Sequence, residues 1–276
     1  MPAISHIWTR TKTAIGKLFF CYRVTVNTTS FLKLIINTKR SKWPHKNPSP
    51  IDVDNASAYL FQFNKQQQPF YLRTYAGDLQ IFYDIFWRSI YQFPDPLFKR
   101  AKTIVDLGGH IGFTAAWLHW HCPNAKVYTV EADESNYALL TKNLQPQLAN
   151  GVIIADHAAI SNSNGTVYLQ RSKHSYNSQL SGMVTNFPVP GIRLQQFLQQ
   201  HRLTHIDLIK IDIEGAEFFL FTDDTEWLTI TDTIIVEIHS EENLQLFTKA
   251  VTPYGFIIEE KNLEHESLYV AYKHYQ

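Results

Sequence analysis

This sequence predicts an α/β fold with a doubly wound, mostly parallel sheet, and three observations carry the prediction. Short buried apolar runs alternate with amphipathic helical stretches from Thr103 to Ile238. The first run ends in an acid and a glycine-rich turn, Asp106-Leu107-Gly108-Gly109-His110-Ile111-Gly112. The second ends in another acid, Glu131, 25 positions beyond Asp106.

Taken in order, Phe70 to Tyr75 reads as a strand and Asp78 to Tyr91 as a helix capped by Gly77 or Asp78, which Pro94 and Pro96 end. Thr103 to Val105 is a buried strand leading to Asp106, and a helix runs from about Ile111 to Trp120. Lys126 to Val130 is the next strand, Asp133 to Leu144 the next helix, and Val152 to Ala155 a third strand. Asn164-Gly165 signals a hairpin turn before an extended run from Thr166 to Leu169. Arg193 to Gln200 is helical, and Ile206 to Ile211 and Thr233 to Ile238 are near-continuous apolar strands. A helix from Glu241 to Val251, a stop at Tyr254-Gly255 and strands near 256–258 and 268–272 close the chain. The pattern amounts to a Rossmann-like, seven-stranded, mostly parallel sheet with helices on both faces and an N-terminal helical extension.

At 276 residues and 45% hydrophobic content, the chain can bury one such core, and its composition excludes a disordered protein. Net charge is zero but unevenly placed: nine Lys and Arg precede Asp52, the first acidic residue. Residues 1–50 are therefore read as a basic extension with a linker, Ser41 to Pro50, and residues 51–276 as the catalytic domain. The basic arm can touch a membrane surface, an anionic substrate or nucleic acid. Cys21 and Cys122 form no CxxC pair, so a reducing, cytoplasmic setting is expected. No apolar run approaches the ~18 residues that span a bilayer. The run Leu18 to Tyr22 stops at Arg23 and lacks a secretory cleavage site.

In a doubly wound sheet the glycine turn after the first strand lies at the carboxyl edge, where cofactors bind. Glycines there let the backbone pass close under a ligand. A dinucleotide fingerprint would place glycine where Leu107 stands, and Asp106 would oppose a pyrophosphate. The arrangement D-x-G-x-x-x-G instead suits a phosphate-free cofactor with a cationic amino group, namely S-adenosylmethionine. Asp106, Gly108, Gly109 and Gly112 are its expected contacts, Glu131 accepts from its ribose hydroxyls, and Asp156 is the expected adenine partner. Reading Asp106 and Glu131 as ordinary strand ends loses ground because both acids occur together around the glycines.

Three blocks then carry a resemblance: VDLGGHIG (Val105 to Gly112), VYTVEAD (Val127 to Asp133) and IDLIKIDIEGAE (Ile206 to Glu217). With Ala159-Ile160-Ser161 and the Val236 to His239 strand end, the sequence from about Tyr71 to Ala271 resembles the FkbM family of methyltransferases. It departs at Gly109-His110, where the family usually has Ala-Asn, and at Leu194-Gln195, where a Leu-Asp pair is common. The resemblance implies a class I methyltransferase fold and O-methylation of a sugar, glycolipid or small metabolite.

Transfer to a hydroxyl requires removal of its proton. The candidate bases follow the last two parallel strands: His239, Glu214 and Asp212 first, with Glu217 and Glu237 nearby. Glu214 at a helix start can equally cap free N–H groups, and His239 can be an ordinary loop residue. No metal is assigned, although Asp212 with Glu237 or His239 could hold a divalent cation. Lys210, on a buried strand, is expected to pair with a carboxylate, and His119 and His121 to be structural. The polar stretch Gln170 to Pro190 is a candidate for acceptor recognition. Two rival classes stand beside this reading: a cofactor-binding module without catalysis and a nicotinamide-dependent oxidoreductase. Nucleic acid is not an expected partner, because no Asn-Pro-Pro-Tyr type motif follows the fourth strand.

Overall fold

The computed structural model describes residues 2–42, 55–63, 65–92, 99–172, 174–214, 216–222, 224–238, 240–263 and 266–273. Most of the expected linker, Pro94 and Pro96, and the candidate base His239 lie outside the described residues. The chain divides into two compact units, residues 1–90 and 91–276.

In the first unit, helices α1 (Pro2–Val24) and α2 (Thr28–Arg40) precede an antiparallel hairpin of β1 (Ala56–Phe63) and β2 (Gln66–Arg73), followed by α3 (Asp78–Phe86). Asn27 caps α2 by accepting from the Ser30 N–H at 2.8 Å. Aromatic rings hold the unit together: Phe61 stacks on Phe82 at 4.7 Å and Phe63 on Phe86 at 4.3 Å. The predicted helix at Asp78 is present but ends at Phe86. Gly77 caps it, while the Asp78 carboxylate turns back to form a fully buried, two-bond ion pair with Arg73. β1 has no counterpart in the sequence reading, because Ala56 to Phe63 does not alternate cleanly.

The second unit is built around the seven-stranded sheet. Its parallel strands are β3 (Thr103–Leu107), β4 (Lys126–Glu131), β5 (Ile153–His157), β10 (Ile206–Ile211), β11 (Thr231–Glu237) and β12 (Phe256–Leu263). β13 (Glu266–Lys273) is inserted antiparallel between β11 and β12, giving the order β12-β13-β11-β10-β3-β4-β5. Ile209, Ile211, Ile234 and Val236 are buried from both sides by covering elements, which is why β10 and β11 read as unbroken apolar runs. The covering helices α4 (Phe113–His121), α5 (Glu134–Asn143), α7 (Leu194–Gln200) and α9 (Glu241–Val251) match the predicted ones within a few residues, and a short α6 (Gln145–Ala149) follows α5. Asp133 caps α5 and Ser240 caps α9.

The expected hairpin at Asn164-Gly165 is not one. β6 (Ala159–Ile160) and β7 (Gly165–Gln170), on either side of it, do not pair with each other. Instead β9 (Pro188–Ile192) inserts between them, parallel to β6 and antiparallel to β7, and β8 (Gln179–Ser181) forms the outer edge. The stretch expected as a polar excursion thus supplies strands to a second, four-stranded sheet.

The order in which strands are added reverses between the parallel β3 and β10: β3 is followed outward by β4 and β5, and β10 by β11 on the other side. Their carboxyl ends therefore open a crevice at the topological switch point. The Asp212 N–H donates to the Leu107 carbonyl at 3.1 Å and draws the two strand ends together. Gly108, at φ 85°, lies so close that a β-carbon would sit 1.8 Å from the Asp212 carbonyl oxygen. Gly108→Ala is expected to cost about 2–5 kcal/mol, from left-handed backbone and overpacking together. Urea denaturation would show it, and a variant as stable as the wild type would contradict this packing.

Candidate active site

Register places Thr129, Asp106 and Lys210 side by side on β4, β3 and β10, facing the same side of the sheet. The Thr129 hydroxyl donates to Asp106 Oδ2 at 2.9 Å. The Lys210 ammonium lies 3.4 Å from Asp106 Oδ1 and 3.2 Å from Asp212 Oδ2, and donates to the Gly108 carbonyl at 2.8 Å. Burial alone would lower the Lys210 pKa, but Asp212, Tyr91 and Asp106 more than reverse this, so the ammonium stays charged. Burial pushes the Asp106 carboxyl up, with Lys210 and Thr129 pulling against it.

Asp106 was expected to meet the amino group of a ligand. Its carboxylate is fully buried and faces Lys210 and Thr129. The glycines also permit a close approach within the protein itself. A β-carbon on Gly109 would lie 2.2 Å from Thr129 Oγ1, and one on Gly112 would lie 2.9 Å from the Leu144 side chain. Four of the turn's donors are used internally. Gly108 and Gly109 N–H both donate to the Val130 carbonyl, Gly112 N–H donates to the Gly109 carbonyl, and His110 N–H goes to Glu131.

Glu131, at the end of β4, accepts from the His110 and Asp133 N–H groups at 2.8 Å each and from the Asn136 amide at 3.1 Å. Those three bonds leave carboxylate capacity for a further hydroxyl donor. Burial pushes its carboxyl up to about 7, against the pull of these donors. His110 and Asn136 also tie down the segment after β7: the His110 ring bonds the Ser175 hydroxyl at 2.7 Å, and Asn136 donates to the Ser175 carbonyl at 2.9 Å. Arg171 anchors the start of that segment on the helix cap Asp133. Asn136 was not among the expected site residues, while Arg171 and Ser175 lie in the stretch expected for acceptor recognition. Asn136 was detectable in principle, as an amide one helical turn beyond a strand-ending acid.

Asp156 does not join this group. It lies at the register position of Val130, on the face opposite Glu131, and pairs with His201 at 2.7 Å beyond α7. The residue at the Glu131 register position is His157, whose ring stacks on Tyr137. His121 is structural, as expected, with its ring bonded to the Trp117 carbonyl.

Asp212, a quarter exposed, shares Lys210 with Asp106. Two residues on, Glu214 adopts a left-handed backbone at φ 50°, and burial with repulsion from Asp212 and Glu217 pushes its carboxyl up to about 8. Glu217 opens α8 (Glu217–Thr222) and accepts from the Ile213 N–H at 3.2 Å, so it holds the loop. Glu214 forms part of the wall of a cavity of about 310 Å³, together with Phe218 and Phe219 beyond it and Ser161, Asn162 and Gln179 from the side sheet. Among the described residues, the cluster with metal-ligand spacing is His205, Asp207 and Asp232, near the amino ends of β10 and β11, away from Asp212.

Strand order, the glycine turn and an acid ending the neighbouring strand define a class I methyltransferase. Residues 106–259, more than half of the chain, match the methyltransferase FkbM domain, and the chain belongs to the FkbM methyltransferase family. That family implies S-adenosylmethionine as the methyl donor. Among curated proteins, none matches the sequence. Solved structures with a similar fold include a precorrin-6y C5,15-methyltransferase from Geobacter metallireducens (10% identity, TM-score 0.41, 65% of this chain and 85% of that one). A Methanococcus jannaschii fibrillarin pre-rRNA processing protein is 13% identical, with TM-score 0.42 over 66% of this chain and 69% of its own. An O-methyltransferase family protein from Burkholderia thailandensis is 8% identical, with TM-score 0.45 over 72% of this chain and 58% of its own. At these values the likeness is one of fold and names no substrate.

If Lys210 holds the strand ends together as its contacts indicate, Lys210→Met strands two carboxylates and should cost ~3–5 kcal/mol. Adding Asp106→Asn should recover part of that loss. Chemical denaturation of the two single variants and the double variant measures the coupling, and purely additive losses would refute it.

Proposed function

We propose that the chain transfers a methyl group from S-adenosylmethionine to a hydroxyl of a sugar, glycolipid or small metabolite, with Glu214 as the base. The observation that carries this reading is Glu214 itself, a largely buried carboxylate with a raised pKa in the wall of a cavity beside the switch point. The residues present fit the donor. Glu131 offers an acceptor to ribose hydroxyls, and the glycine turn, with Asp106 buried beneath it, suits a cofactor without phosphate. When bound, S-adenosylmethionine supplies an electrophilic methyl carbon on a sulfonium.

Glu214 would accept the acceptor's hydroxyl proton at a carboxylate oxygen, and the methyl group that the acceptor oxygen takes up would come from the sulfonium that S-adenosylmethionine supplies. Phe218 and Phe219, with ring centroids 4.0 Å apart, offer an apolar wall, and Ser161, Asn162 and Gln179 supply hydrogen-bonding groups. That mixture suits a polyhydroxylated acceptor with one apolar face. Asp212 helps to keep the Glu214 pKa high and shares Lys210, a positioning role. The rival oxidoreductase reading loses support because Leu107 stands where a dinucleotide fingerprint needs its first glycine.

Calorimetric titration with S-adenosylmethionine, and separately with NAD, tests the cofactor. Ribose hydroxyls donate to the charged form of Glu131, so binding below about pH 7 should release a proton and tighten as pH rises through that value. Glu131→Gln should weaken binding about 10- to 100-fold and remove the proton release. A preference for NAD would sink the proposal.

The base is tested by pH dependence. A carboxyl with a pKa of about 8 is mostly protonated at neutral pH, so kcat/KM should climb with pH through about 8. Glu214→Gln should bind the cofactor normally, lose about 100- to 10,000-fold in kcat and lose that pH limb. Turnover unaffected by Glu214→Gln would remove the residue from the chemistry.

A further inference from the structure

We infer that the outward faces of α1 and α2 form a docking surface for an anionic lipid bilayer. Ile15, Leu18, Phe19 and Tyr22 follow the i, i+3, i+4, i+7 spacing of one helical stripe, and Leu32 and Ile36 form a second on α2. All six are between 47% and 69% exposed.

Neither stripe is the face that builds the unit. On α1 the packed side is the opposite one, where Cys21 and Val24 are buried and Phe20 meets Phe82 at 5.9 Å. On α2 the packed residues are Ser30, Leu34 and Asn37. Each helix therefore carries a second apolar face that its own core does not use. Tyr22 meets Phe31 edge-on at 6.1 Å, which brings the two helices together beside these faces.

Charge selects the partner. No acidic residue occurs before Asp52, and nine Lys and Arg do. Arg23, Lys39 and Arg40 sit in the last turns of the two helices, and all three are exposed. An apolar stripe flanked by cations is the composition of a helix that lies in the headgroup region of an anionic leaflet. A second copy of the chain would bring like charges together. Nucleic acid would use the cations but leave Ile15, Leu18 and Phe19 without a partner. Among the described residues, no helix is long and apolar enough to cross a membrane, so contact would be with one leaflet.

The test is flotation of the full chain with phosphatidylcholine vesicles, with and without phosphatidylglycerol, at low and raised salt. The chain should bind the anionic vesicles, bind the neutral ones far less, and dissociate as salt rises. Leu18→Ser with Phe19→Ser should reduce partitioning at least about tenfold. Arg23→Gln with Lys39→Gln should reduce it about fivefold per charge. All four positions are exposed, so circular dichroism and melting of these variants should match the wild type. Three results would overturn the inference. One is no vesicle binding by the wild type. Another is binding indifferent to both double variants. The third is a self-association or an oligonucleotide complex that Leu18→Ser with Phe19→Ser abolishes while vesicles remain unbound.

Discussion

A single buried ammonium, that of Lys210, sits where the two halves of the sheet diverge. It is the only cation facing Asp106 and Asp212 among the described contacts, and it also donates to the carbonyl of Gly108. Removing two carboxylates and an ammonium from water is expensive, and it is tolerable here only because each group finds a partner. The return is geometric. Lys210 ties the end of β10 to the end of β3, the Asp212 N–H makes a parallel tie to Leu107, and Gly108 closes the gap without a side chain. Through β4 the same lattice reaches Thr129 and, two residues further along that face, Glu131. Glu131 and Glu214, to which the proposed function gives the cofactor and the acceptor, are thus linked by one polar cluster under the sheet's carboxyl edge.

This arrangement explains what the sequence made legible. Parallel strands covered on both faces become unbroken apolar runs, so β3, β10 and β11 stood out and the sheet could be read. Asp106, Glu131 and the glycines stood out because polar and small residues are rare at the ends of such runs. Their roles were harder to read. Two buried carboxylates look alike in sequence, and only the structure shows that Asp106 faces Lys210 and Thr129 while Glu131 takes the N–H groups of His110 and Asp133. Asp156 was hard to place for a related reason. The period of two puts neighbouring residues on opposite faces, so His157 and not Asp156 shares the Glu131 register position.

The non-local pairings were the least legible. β9 is separated from β6 by the whole of β7 and β8, and nothing local to Asn164-Gly165 reveals that a later strand will insert there. The turn signal was real as chemistry, since Asn164 accepts from the Arg193 N–H at 3.0 Å, but it serves a crossing connection. The contacts of Arg171 and Ser175 follow from that side sheet and share its long sequence separation. They fix the segment after β7 over the end of β4, so the pocket wall depends on elements far apart in the chain.

Glu214 shows why a base at this position depends on the same cluster. A carboxylate beside Lys210 alone would be pulled down and would make a weak base at neutral pH. Burial pushes Glu214 upward most, Asp212 and Glu217 add to it with their negative charge, and the pull of Lys210, which also faces Asp106 and Asp212, does not reverse the shift. The left-handed backbone at Glu214 is strain of the kind a functional loop retains when the surrounding structure imposes it. Here it is imposed by Lys210 and the Leu107 tie on one side and by Glu217, which holds the Ile213 N–H, on the other. The ion pair that shapes the fold and the carboxylate proposed for the chemistry are therefore one electrostatic system, and changing the charge of either shifts the other.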